Sequence, residues 1–242
     1  MVDLVLPRRD RAKHKPGRSG GCPSIGYPSA RGIAAWRQLV CCWKTRPRRP
    51  MTSVLAIGPV TTLAATTTLP SPVVGGFLQD AEMIGVMWDE LGRSPHEHLA
   101  LAVARGRVRR DLQAFHRLVP FSRVHAVVDR ALAEEIPEFT QRVLEAARSD
   151  VFSIVVVAAA DAETIGQLKA EALYLGILPW LQGTARSELF EQLADRGIPV
   201  FSARGAPDVE AGALAALLPE AEDQLARCLA QHIDGILITV GR

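Results

Sequence analysis

Two spacings of apolar residues alternate along the chain after Met51, and together they predict strands separated by helices. Val54 to Ile57 is a short aliphatic run closed by Gly58-Pro59, which reads as a strand followed by a turn. Phe77, Ile84, Trp88 and Leu91 recur at helical spacing, with Gly92 as a C-terminal cap. Ser94-Pro95-His96-Glu97 has the makings of a helix start: a capping hydroxyl, a proline at the first helical position and a carboxylate that can reach back. This helix is expected to run to about Leu118, weakened at Gly106, with Val108, Leu112, Phe115 and Val119 as its buried stripe.

From Arg123 the pattern sharpens. Val124 to Val128 reads as a strand, and Pro137 to Arg148 as a helix that turns Phe139, Val143 and Ala147 inward. Val151 to Ala160 is apolar on both faces and β-branched from Ile154 to Val157, which predicts an interior strand of a parallel sheet. Asp161 can cap a helix carrying Ile165, Leu168, Ala172 and Leu175, closed by Gly176. Ile177 to Leu181 then reads as a strand, and Thr184 as the cap of a helix that ends at Gly197. A strand at Ile198 to Ser202, helices at Asp208 to Leu218 and Pro219 to His232, and a strand at Gly235 to Val240 complete the pattern.

Six strands separated mostly by helices imply an α/β three-layer sandwich with a largely parallel sheet of about five or six strands. A partial or irregular TIM-like barrel is the alternative, although the strands are too few to close one. Two half-sized lobes, as in a periplasmic-type binder, form a further arrangement with less support. No internal repeat is visible.

Charge divides the chain at the same place as the pattern. Residues 1–50 carry 12 Lys and Arg against Asp3 and Asp10, with six Pro and five Gly. The remaining 192 residues carry 16 basic and 24 acidic side chains. The overall charge of +2 therefore describes neither part, and does not mark a nucleic-acid-binding domain. Residues 1–50 are expected to be a disordered basic extension, and 51–242 a single α/β domain with Met51 as a candidate start. Nucleic acid is a candidate partner for that extension alone. Thr52 to Gln79 lacks charge and follows Arg46, Arg48 and Arg49, an order that resembles an export signal. Six Thr, three Pro and three Gly within it argue against a spanning helix, so a cytoplasmic location without integral membrane contact is expected, with export as the alternative.

Candidate chemistry is selected by position before motif, because ligands of parallel sheets collect beyond the carboxyl ends of the strands. Asp129, Asp161, Thr184, Ser202 and Arg204 fall there. Helix capping alone accounts for Asp129, Asp161 and Thr184, whereas Arg204-Gly205 has less structural excuse and suits an anion. Asp161, Thr184 and Arg204 are therefore the expected ligand-binding residues. His125 as general base with Asp129 as its orienter gives the catalytic alternative.

Other motifs are weaker. Gly58 to Thr62 lacks the spacing of a phosphate loop, and Val73-Val74-Gly75-Gly76 is the better anion nest. His96 and His98 stand two apart in an expected helix, where their rings diverge. Cys22, Cys41, Cys42 and Cys228 have no metal or redox spacing. Arginines gather between Arg105 and Arg130, with Arg109, Gln113 and His116 expected on a solvated helix face. No resident metal or cofactor is implied. The functional expectation is binding of a small anionic or phosphorylated ligand at the C-terminal sheet edge. A metal-independent hydrolase or lyase using His125 with an Asp, and a nonenzymatic regulatory or assembly module using the arginine-rich helix, are the alternatives. An oligomer fits each of them.

Deletion of residues 1–50 is expected to leave the thermal midpoint within about 3 °C, an effect below roughly 1 kcal/mol. Thermal unfolding of the truncated chain checks this, and a loss of cooperative unfolding contradicts it.

Overall fold

The computed structural model describes residues 54–57, 73–78, 80, 83, 99–103, 106–136 and 138–216. The basic extension, the four cysteines, His96, His98, the helix expected at Pro219 to His232 and the strand expected at Gly235 to Val240 lie outside them.

The described strands pair in two parallel sheets. β1 (Val54–Ile57), β2 (Val73–Leu78) and β3 (Leu99–Val103) form a sheet of three with β2 in the middle. Its register sets Val54 opposite Val73, and Val73 opposite Leu99. β4 (Arg123–Asp129), β5 (Ser153–Ala159), β6 (Ala172–Leu175) and β7 (Val200–Ser202) form a sheet of four in the order β5-β4-β6-β7. All of these pairings are parallel.

Helices cover both faces of the larger sheet. On one side lie α1 (Arg107–Leu118) and α3 (Phe139–Ala147), with the short α2 (Arg130–Glu135) between them in sequence. Their Val108, Leu112, Phe115, Phe139 and Val143 join Val124, Ala126, Tyr174 and Phe201 of the strands in one apolar cluster. On the other side are α4 (Ala162–Gly166) and α5 (Thr184–Asp195). Ile165, Leu189, Phe190 and Leu193 pack there on Val127, Leu173, Leu175 and Val200. The turn after β7 leads into α6 (Ala206–Glu210). The fold is thus α/β, a parallel sheet between two helical layers. Val73 and Met83 belong to the same cluster as α1, so the smaller sheet shares a core with the larger.

Several elements depart from the sequence reading, each for a physical reason. The described strands are divided between two sheets, of three and of four, instead of one sheet of five or six, and neither closes into a barrel among the described residues. Val73 to Gly76 is part of the middle strand β2, so its amides lie in the ladder instead of forming an anion nest. Residues 99–103 pair as β3, and the helix begins only at Arg107. Gly106 takes a left-handed φ of 62° there, which glycine reaches without strain. Ala172 and Leu175 matched a helical stripe, yet all four residues of β6 are buried between β4 and β7. α4 therefore stops at Gly166, and residues 177–181 form a loop anchored by buried Leu178 and Leu181. The helix expected from Asp208 is the short α6, broken before Gly212 at φ 117°. Among the described strands β5 is the outermost of its sheet, and β4, between β5 and β6 and buried over most of its length, is the interior one. Val155 is 37% exposed as a result.

One polar contact crosses the apolar layer. The Tyr174 hydroxyl donates to Asp111 Oδ2 at 3.0 Å, and both side chains are buried. Burial raises the Asp111 carboxyl from its ordinary 3.8 to about 6, against the opposing pull of Arg107, the Tyr174 hydrogen bond and Arg110. Tyr174 is pushed well above its usual value, first by burial and then by the Asp111 charge, and so remains the donor.

Asp111 holds its proton more tightly in the folded than in the unfolded chain. Its stabilising contribution is therefore fully present below about pH 4 and lost as pH rises through about 6. The loss amounts to about 3 kcal/mol at most. Denaturant titrations of the wild type and Asp111→Asn between pH 4 and 7.5 should show the wild type losing stability relative to the variant across this window. Parallel pH profiles would contradict the assignment.

Candidate functional site

Each strand of the larger sheet delivers one polar residue to its carboxyl edge. β4 ends in Asp129, β5 leads to Asp161, and β7 ends in Ser202, two residues before Arg204. Thr184 opens α5 after the loop that follows β6. The expected residues thus share an edge, but the strand order spreads them along it. Asp161 follows β5 at one end and Arg204 follows β7 at the other, three strand spacings or about 14 Å apart.

Asp161 and Asp129 act as helix caps. Asp161 accepts from the Thr164 amide at 2.7 Å, and the Thr164 donors hold its carboxyl below the usual range. Asp129 accepts from the Leu132 amide at 3.1 Å, while burial raises its pKa. The Trp180 indole N–H is buried without a partner in hydrogen-bonding geometry, yet lies close enough to Asp129 to lower its pKa in part. Thr184 is not the cap of its helix. Gly183 holds that position at φ 59° and ψ −141°, and Thr184 is the exposed first residue of α5.

The structure does not bring His125 to Asp129. Both lie on β4, four residues or about 13 Å apart along the strand. His125 stands toward the opposite end of β4, where desolvation and Arg123 lower its pKa against Glu171. Its Nδ1 is buried and unpartnered. A base with Asp129 as its orienter is therefore not assembled. His116, expected on a solvated face, instead stacks on Phe152 at 5.2 Å and meets the edge of Phe121 at 4.9 Å.

Around Arg204 the side chains do converge. Asp208, in the first turn of α6, is buried and accepts from the Ser202 hydroxyl at 2.5 Å and from Arg186 Nη1 at 3.1 Å. Arg204 Nε lies 4.0 Å from the same Asp208 oxygen, its Nη1 donates to the Leu181 carbonyl at 3.3 Å, and its amide donates to Ser202 Oγ at 3.0 Å. Arg107 reaches the same turn from α1, donating from Nη2 to the Ala203 carbonyl at 3.0 Å. Three guanidinium groups thus surround the end of β7, from α1, α5 and the turn itself. Arg186 Nε is buried with no partner, and a third of the Arg204 side chain is exposed. Planar donors with unused capacity beside a half-open edge can take a carboxylate or phosphate in paired hydrogen bonds.

The sequence reading held Arg107 only as one of the arginines gathered between Arg105 and Arg130 and did not single out Arg186 or Asp208 as site residues, although it held a signal for both arginines. Neither α1 nor α5 has an acidic residue in its first turn, and Arg107 and Arg186 stand there instead. A cation at a helix N-terminus opposes the helix dipole and calls for a compensating partner. Asp208 is that partner for Arg186, and Asp111 sits 3.8 Å from Arg107 Nε. Among the described residues no group of His, Cys, Asp or Glu is placed to hold a metal ion, and no helix is long and apolar enough to cross a membrane.

No protein-family model and no curated protein matches the chain. Solved structures do. A conserved domain protein from Vibrio cholerae O1 biovar El Tor is similar at a TM-score of 0.58 and 16% identity, over 86% of this chain and 69% of that one. The ABC domain from Streptococcus pneumoniae, solved in complex with L-Trp, is similar at a TM-score of 0.58 and 15% identity, over the same shares of the two chains. At these identities the likeness is one of fold: a parallel α/β architecture common to the three chains.

Proposed function

We propose that the chain is a binding module for a small anionic ligand, carboxylate or phosphorylated, held at the carboxyl edge of the four-stranded sheet beside β7. The observation that carries this reading is the convergence of Arg107, Arg186 and Arg204 on the turn after β7, where buried Asp208 faces Arg186 and Arg204 while Arg107 faces Asp111. Arg204 is the anchor, because its guanidinium is the more open of the two that flank Asp208. Thr184, exposed two residues before Arg186, is placed to add a hydroxyl donor. Asp161 stands apart from this cluster, as the cap of α4 at the far end of the edge. The similar ABC domain carries L-Trp, a molecule with a carboxylate, and lends the reading support at the level of fold.

The test is a native mass spectrometry screen of small carboxylates and phosphate esters on the full chain, followed by calorimetry on whatever binds. Arg204→Ala should weaken the bound compound by about 1.5–3 kcal/mol, the worth of a charge-assisted hydrogen bond. Unchanged affinity in a variant that still unfolds cooperatively rejects Arg204 as the anchor.

A further inference from the structure

We infer that Asp111 sets the charge of the ligand this site accepts, making it selective for singly charged over doubly charged anions. The inference rests on the anion-site reading above and concerns a residue that reading leaves unused.

Asp111 is only 1% exposed and lies one turn beyond Arg107 on α1. Its Oδ2 faces Arg107 Nε at 3.8 Å and accepts from the Tyr174 hydroxyl of β6 at 3.0 Å. Its Oδ1 is buried with no partner at all. A half-satisfied carboxylate is a costly thing to bury, and packing alone would be served as well by an apolar side chain. Among the described residues, four charged or titratable groups face it. Arg107 and Arg110 come from its own helix, Tyr174 from β6, and Asp80 from the segment after β2. Asp80 accepts from the amides of Gly106 at 3.2 Å and Val108 at 3.2 Å, and so occupies the N-terminus of α1 that would otherwise attract an anion.

Among the described groups that meet at this turn, Arg107, Arg186 and Arg204 against Asp111 and Asp208 leave a net of one positive charge. A monoanion closes that balance. A dianion leaves an uncompensated negative charge beside Asp208, in a partly buried setting where screening is weak. Removing the Asp111 charge raises the net to two and moves the preference toward the dianion. The same step occurs without mutation as pH falls, because burial brings the Asp111 carboxyl up to about 6. Arg107 is the carrier: it touches Asp111 on one side and the Ala203 carbonyl, one residue before Arg204, on the other.

The probes are sulfate, doubly charged throughout the range used, and acetate, singly charged at neutral pH. Each is titrated into the full chain and followed through the guanidinium Nε–H resonances of the arginines. At about pH 7.5, Asp111→Asn should tighten sulfate roughly tenfold and acetate by a factor of roughly three or less. In the wild type, sulfate should tighten severalfold between about pH 7.5 and 5.5, and this dependence should vanish in the variant. If Asp111→Asn fails to fold, the wild-type pH series decides alone, and a flat series overturns the proposal. Equal changes for both probes would mean that Asp111 is only structural and would also overturn it, leaving the anion site standing. If neither probe shifts the arginine signals of the wild type, the anion-site reading falls and this inference with it.

Discussion

A carboxylate buried beside the end of a strand has to be met by more donors than the strand alone supplies. Asp208 is in that position, nearly inaccessible to water, at the carboxyl end of β7. An unpaired charge there would cost several kcal/mol, so its partners are drawn from separate parts of the chain. Ser202 comes from the last position of β7, Arg186 from the first turn of α5, and Arg204 from the turn between β7 and α6. One acid therefore fixes where three elements meet. It also draws in more positive charge than it neutralises, and that excess gives this edge of the sheet its chemical character.

The same logic joins the two sheets. Asp80, just beyond β2, accepts from two amides at the N-terminus of α1, and Arg107 in that first turn reaches across to the Ala203 carbonyl after β7. Below this polar tie lies the aromatic layer of Phe115, Phe121 and Phe201, with ring centroids 5.1 and 5.4 Å from Phe115. α1 thus packs by its apolar stripe and is oriented by its charged first turn.

Much of the larger sheet was legible in the sequence, because β4, β5, β7, α3 and α5 follow simple periodicities with recognisable ends. Asp129 and Asp161 act as the helix caps their spacing suggested. What failed did so where two patterns coincide over four or five residues. Ala172 and Leu175 satisfy a helical stripe and also the continuous burial of an interior strand, and only the neighbours β4 and β7 decide between them. β2 was obscured by Gly75-Gly76, which reads as a turn until its place between two strands is known. At the proposed site, Arg204 was singled out by its position after a strand. Its companions were not, since Arg107 lies 97 residues earlier and meets it only through the fold. Strand order likewise lies outside single-sequence patterns, which is why Asp161 was grouped with a residue at the far end of the edge.

Whether a free anion sits beside β7 is tested most directly by a crystal structure of the full chain soaked in bromide, a singly charged ion located through the anomalous signal of bromine. A bromide should lie within hydrogen-bonding distance of the Arg204 guanidinium and of Arg186 or Arg107, with Asp208 still bound to Ser202. Bromide ordered only elsewhere, with the three guanidinium groups closed on Asp208, Leu181 and Ala203, would contradict an anion site at this edge.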